Sequence, residues 1–163
     1  MKNDRIAKGF FNVQCFDKDG QLKWTRDLPN GIVDVGIVNL LDATFNGGTQ
    51  ISTWYMGLIN NASFSALAAG DTMASHAGWA ETASYDEATR PEWTAGAAAT
   101  RAVTNSSTVD FTMSATVTVK GIFVTSNNTK SGTGGTLWST AAFASNASTT
   151  DGDVLRVTYT VSG

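Results

Sequence analysis

The chain has 163 residues and a net charge of −3, and only 15% of its residues are charged. This length fits one domain with its own core, and the 42% hydrophobic content is typical of a globular chain. Proteins that bind the nucleic-acid backbone usually carry a basic face, so we expect no nucleic-acid partner. No apolar run approaches the about 18 residues of a membrane span, so we expect no membrane partner either.

The stretch "FFNVQCFDKDGQLKWT" predicts a β-hairpin near the N-terminus. Phe11, Val13 and Cys15 alternate on one face, and Leu22 and Trp24 continue that face on the returning strand. The connecting "DKDG" supplies Asp and Gly, which suit a tight turn. Cys15 is the only cysteine, so no intramolecular disulfide can form, and its place in the alternation indicates a buried thiol.

The stretch "NGIVDVGIVNLLDATFNGG" predicts one helix. Its apolar positions recur at helical spacing: Val33, Gly36, Ile37, Leu40, Leu41 and Phe45. Asn30 is a candidate N-cap, and Asn46, Gly47 and Gly48 provide a left-handed stop. We expect the apolar stripe of this helix to lie on a sheet.

The rest of the chain predicts strands joined by polar loops. "ISTWYMGLIN" indicates a buried strand, and residues 61–82 form a long surface or contact loop. Strict alternation from 109 to 123 indicates an antiparallel strand with one solvent-exposed face and a bend or bulge at Gly121. "TLWSTAAF" adds another strand, and the final strand alternates at Leu155, Val157, Tyr159 and Val161.

These elements together predict a mainly β fold. We expect an antiparallel β-sandwich, jelly-roll-like, with one short N-terminal helix. No linker or internal repeat is visible, so residues 1–163 form a single domain with an N-terminal arm and hairpin. Residues 43–70 and 131–150 carry no charged side chain, which suggests that they are solvated by polar side chains or covered by a partner.

Motifs for metal, cofactor or catalytic chemistry are incomplete. Asp17 and Asp19 have EF-hand spacing, but Gln21 and Leu28 occupy the next ligand positions. His76 is the only histidine and has no second nitrogen or sulfur ligand at zinc spacing, so it is expected to fix a loop or face solvent. The glycine-rich "SGTGGT" lacks the lysine of a phosphate loop. We therefore expect no metal, no cofactor and no enzymatic activity.

The stretch "YDEATRPEWTAG" concentrates charge in a chain that has little. Asp86 and Glu92 could form a glycosidase acid and base, with Trp79, Trp93 or Tyr85 as the sugar platform. The alternative is a structural corner, because the proline after Arg90 forces that residue out of helical geometry. In that corner Arg90 would pair with Asp86, with Glu87 or with an acid of a neighbouring subunit, and Trp93 would be buried. The small domain and the missing motifs favour the corner.

Several blocks of the chain resemble small structural proteins encoded in tailed-bacteriophage virion gene clusters. The blocks are "GFFNVQCFDKDGQLKWTRDLPNGIVDVGIVNLLDATFNGG", "TWYMGLINN", "DTMASHAGWAETASYDEATRPEW" and "DGDVLRVTYTVSG". The resemblance covers nearly the whole chain. It implies a capsid decoration (cement) protein or a tail-fibre-type protein, and it carries no catalytic residues.

On this basis we expect a capsid decoration protein on the virion surface, made in the host bacterial cytoplasm. It would bind the major capsid protein and itself, as a homo-oligomer, and stabilise contacts between capsid subunits. The expected partner-binding residues lie in the N-terminal arm, in the uncharged loop and in the charged corner: Lys2, Asp4, Arg5, Lys8, Phe64, Leu67, Arg90 and Trp93.

Two alternatives remain open at this point. The protein could be a tail, fibre or baseplate component that docks to a baseplate or to a host glycan. It could also be a small carbohydrate-binding module that uses Trp54, Trp79 or Trp138 as an exposed platform.

Overall fold

The structure is a computed structural model that describes residues 7–163. Lys2, Asp4 and Arg5 therefore lie outside the described residues. The chain is mainly β, with 48% strand and 8% helix, as the sequence predicts. No helix among residues 7–163 is long and apolar enough to cross a membrane.

The elements follow one another as β1 (Lys8–Phe16), β2 (Leu22–Ile32), α1 (Asp34–Phe45), β3 (Trp54–Asn60), β4 (Glu81–Thr82), β5 (Glu92–Trp93), β6 (Ala102–Thr104), β7 (Val109–Thr112), β8 (Val117–Thr125), β9 (Leu137–Thr149) and β10 (Val154–Ser162). The strands join in the order β4-β3-β8-β9-β2-β1-β10-β6, and every neighbouring pair is antiparallel. β5 pairs with β3, and β7 pairs with β10.

β2 connects the two halves of this sheet: one half contains β4, β3, β8 and β9, and the other contains β1, β10 and β6. Most of β2 pairs with β1, whereas Gly31 and Ile32 at its end pair with Thr140 and Ser139 of β9. The sheet is strongly curled, so side chains from distant strands meet in one core. The largest fully buried side chains of this core are Phe11, Leu28, Met56, Leu58, Phe111, Met113, Phe143 and Tyr159.

The N-terminal hairpin forms where the sequence predicts it. Phe11, Val13 and Cys15 are fully buried, but Leu22 is 54% exposed, so the prediction for Leu22 is wrong. The cause is a bulge: Cys15 lies opposite Trp24, whereas the next residue of β1 lies opposite Leu22. The extra residue in β2 reverses the face on which Leu22 points.

The single helix begins later than the sequence predicts. Val33 precedes its first residue, and Asn30 is not the N-cap because it belongs to β2. The predicted stop is confirmed: the amides of Asn46 and Gly48 bond the Asp42 carbonyl. Gly47 between them has a φ of 68°, which glycine adopts without steric cost.

The helix packs on the sheet along only part of its apolar stripe. Gly36 is the one residue of α1 that is buried, and Val33 just before the helix is buried too. Val38 is 55% exposed and Phe45 is 81% exposed. The prediction that the whole stripe lies on a sheet is therefore wrong for Phe45.

The long alternating run from 109 to 123 is two strands rather than one. β7 pairs with β10, whereas β8 lies between β3 and β9 in the other half of the sheet. The alternation runs through the break because odd positions on both sides of it, such as Met113 and Val119, face the same core. After Gly121 both faces of β8 are buried: Ile122 and Val124 enter this core and Phe123 enters a second cluster, so the predicted solvent-exposed face is wrong there. Gly121 lies at a register shift between β8 and β9, which confirms the predicted bulge. A Cβ atom on Gly121 would overlap the backbone carbonyl of Ala141.

We predict that Gly121→Ala lowers the free energy of unfolding by about 1–3 kcal/mol, because the backbone of β9 would have to move. Gly31→Ala is the matched control, since Gly31 also lies in a strand and has open space around its Cα. Denaturant unfolding of the two variants measures the difference. Equal stability of the two variants would contradict the close approach of β8 and β9.

Candidate interaction surface

His76 and Asp17 both serve local structure. The Nδ1 atom of His76 lies 2.9 Å from the Trp79 carbonyl oxygen, and its ring stacks on the Trp79 ring at 3.9 Å. The Trp79 indole donates to Asp71 at 3.0 Å. The Asp17 carboxylate accepts the Gln21 amide at 2.8 Å and so closes the hairpin turn. Within residues 7–163, no group of three or more His, Cys, Asp or Glu side chains could hold a metal ion.

Cys15 is a buried thiol, as the sequence predicts. Burial, with the nearby charge of Asp153 as a smaller cause, raises the pKa of Cys15 to about 12. A thiol with such a pKa stays protonated near neutral pH and is a poor nucleophile. Asp153 itself, in the turn before β10, pairs with Lys23 of β2.

Arg90 is buried and pairs with Glu81. Its Nε donates to Glu81 Oε1 at 3.0 Å and its Nη2 donates to Oε2 at 2.8 Å, which makes a bidentate pair. The side chains are only 1% and 6% exposed. The predicted pairing of Arg90 with Asp86 or Glu87 is therefore wrong. Glu87 instead accepts the backbone amide of Thr112 at 3.0 Å.

The Arg90–Glu81 pair also fixes the glycine-rich loop between β8 and β9. Arg90 donates to the carbonyl oxygens of Asn127 at 2.9 Å and Gly132 at 3.0 Å. Glu81 accepts the Ser131 amide at 2.6 Å. The guanidinium of Arg90 thus bonds three residues of its own chain and is not presented at the surface.

Trp93 is buried, as the corner prediction requires. It is 9% exposed, and its ring meets the Tyr159 ring edge-on at 5.4 Å. Its backbone pairs with that of Trp54. Trp93 therefore belongs to the core, and the acidic residue beside it, Glu92, is exposed. Trp79 is also buried, at 3% exposure, so it offers no platform to a glycan.

The structure brings together Ala7, which precedes β1, and the uncharged loop. Ala7 and Leu67 line one cavity of about 470 Å³, which we call the arm groove; its other main walls are Ile32, Val33, Ile37 and Ala68. All ten residues around this cavity are uncharged. Lys8 is exposed beside Ala7 at the start of β1. Leu67 and Phe64 are half-buried and pack against a small cluster that includes Met73.

A second contact unites the two uncharged segments, 43–70 and 131–150. Trp54 from the first and Trp138 from the second lie with their ring centroids 5.8 Å apart. Both rings are half-buried. The sequence predicts neither this contact nor the arm groove, because each joins residues far apart in the chain and no local spacing signals the meeting.

No family model matches the chain, and no curated protein is significantly similar to it. The link to phage virion proteins therefore stays a prediction from the sequence blocks quoted above.

We predict that Arg90→Ala lowers the free energy of unfolding by about 3–5 kcal/mol, because it leaves the Glu81 carboxylate buried without its cation. Arg156→Ala is the control: Arg156 forms a similar bidentate pair with Asp110, but the two side chains are 42% and 36% exposed. An exposed pair contributes only about 0–1 kcal/mol. Chemical denaturation measures both variants, and equal losses would show that the Arg90 pair is not buried in solution.

Proposed function

We propose that the protein is a bacteriophage virion structural protein, and that it acts as a capsid decoration (cement) protein on the outer surface of the head. The arm groove is the observation that carries the proposal. It has Ala7, the residue that joins the charged arm to β1, beside an uncharged, partly apolar loop. One contact with a neighbouring subunit can then bury the loop while the charges of the arm pair with that subunit.

The proposed partners are the major capsid protein and further copies of this chain. Apolar and amide-rich surface at the arm groove would be buried across a junction between capsid subunits. A stable protein interface buries about 1,600 Å² in total, which is more than this groove alone supplies. The arm with Lys2, Asp4 and Arg5 is the proposed source of the remaining area, and the protein would be located in the virion.

The proposal includes no catalytic activity. It is supported by the engagement of three titratable side chains, whereas the candidate acids Asp86 and Glu92 are exposed at the surface. Glu81 pairs with Arg90, Glu87 binds a backbone amide, and His76 stacks on Trp79. Tyr85 is buried as well, which leaves it unsuited as a sugar platform for nearby acids.

We further propose that the two halves of the curled sheet act as the layers of a jelly-roll-like sandwich. The shared core supports this, since it takes side chains from β1 and β10 on one side and from β3 and β8 on the other. A closed shape of this kind would give the protein a rigid body from which the arm extends.

A tail, fibre or baseplate component is the second candidate. The contact between Trp54 and Trp138 favours it, because half-buried indole rings are common in sites for host glycans. The copy number of the protein in the virion separates the two candidates.

Quantitative mass spectrometry of purified virions, with tailless heads from the same phage alongside, tests the head location. A decoration protein should be retained on tailless heads in a copy number comparable to that of the major capsid protein. A tail component should be much less abundant and missing from those heads. Absence from tailless heads would overturn the decoration proposal.

Binding of the purified protein to phage heads tests the arm groove. We predict that Ala68→Glu abolishes attachment of the purified protein to heads that lack it, because the new carboxylate would have to be desolvated at the contact. Ala62→Glu is the matched control, since Ala62 is exposed in the same loop but does not line the groove. Equal binding of both variants in a sedimentation assay would place the contact elsewhere.

A further inference from the structure

A second groove lies along the C-terminal half of α1. Its apolar walls, which define what we call the tryptophan groove, are Leu40, Ile51, Trp54, Trp93, Trp138 and Val161. The cavity has a volume of about 470 Å³. Small-molecule sites in proteins usually measure about 300–1,000 Å³ and are lined mainly by apolar and aromatic side chains.

The tryptophans of this groove are held by other parts of the fold. The Trp138 indole donates to the Tyr159 hydroxyl at 3.0 Å, which fixes the orientation of its ring. Trp54 and Trp93 are neighbours through strand pairing between β3 and β5. Rings that are already fixed lose little conformational freedom when a ligand binds.

The lining contains polar groups but no charged side chain. Asn39, Thr44, Gln50 and Ser52 border the apolar walls. In addition, the Trp93 indole Nε1 is buried and has no hydrogen-bond partner among residues 7–163. An ionic ligand would lose its hydration here without meeting an opposite charge. A plain hydrocarbon would leave the buried Trp93 Nε1 without a partner.

These features together select a ligand with apolar faces and hydroxyl edges. A sugar ring has C–H groups that pack on indole faces and hydroxyls that bond to amide and hydroxyl side chains. We propose that the tryptophan groove binds a neutral saccharide of one or two rings. Trp54 and Trp138 would stack on it, and Gln50 would bond its hydroxyls. The inference uses the same Trp54–Trp138 contact that favours the tail candidate, and the location of the protein is tested separately by its copy number on tailless heads.

The test uses the full-length protein and three neutral disaccharides: maltose, cellobiose and N,N′-diacetylchitobiose. Isothermal titration calorimetry should show saturable binding of at least one of them, in the millimolar range or tighter. Trp54→Ala and Gln50→Ala should each weaken that binding about tenfold, the equivalent of one lost contact of about 1.4 kcal/mol. Trp24→Ala should leave it unchanged, because Trp24 packs on Phe143 outside the groove.

Three outcomes would overturn the proposal. The first is no binding of any of the disaccharides. The second is binding of 1-octanol, titrated in parallel as an aliphatic probe, without binding of a sugar, which would indicate a site for an aliphatic chain. The third is equal weakening by Trp24→Ala and Trp54→Ala, which would place the sugar elsewhere. If Trp54→Ala does not fold, Gln50→Ala decides the matter, since Gln50 is exposed at the border of the groove.

Discussion

The buried side chain of Tyr159 holds the two halves of the curled sheet together. Its ring stacks on Phe11 of the neighbouring strand at 4.1 Å and meets the ring of Trp93 at 5.4 Å. Its hydroxyl accepts the Asn30 amide at 2.7 Å and the Trp138 indole at 3.0 Å. A fully buried hydroxyl requires such partners, and burial raises the pKa of Tyr159, which keeps the group protonated.

Both grooves depend on this one hydroxyl. Asn30 lines the arm groove and Trp138 lines the tryptophan groove, and the two side chains share Tyr159 as their acceptor. Asn30 lies in β2, three residues before the N-cap Val33, and its side chain bonds Tyr159 rather than the helix. α1 then starts at Asp34 and lines both grooves, the arm groove through Ile37 and the tryptophan groove through Leu40.

The sequence predicts those features of the fold that depend on strand alternation and on local turn residues. Period-two patterning identifies buried residues such as Phe111 and Leu155, and the helix stop follows from two glycines. It cannot predict the break between β7 and β8, because one core faces both strands and the period never changes. It also misses Glu81 as the partner of Arg90, since nearer acids compete in the sequence and only the fold decides between them. The two grooves arise from contacts between distant segments, which leave no local signal.

Different contacts are proposed for the two grooves: a capsid partner at the arm groove and a neutral saccharide at the tryptophan groove. The two assignments are compatible only if the tryptophan groove stays accessible when the protein is on the virion. Cryo-electron microscopy of heads that carry the protein tests this directly. We predict density for the curled sheet on the outer shell, with Leu67 toward the capsid and Trp54 toward solvent. A head without such density, or with Trp54 against the shell, would contradict the account.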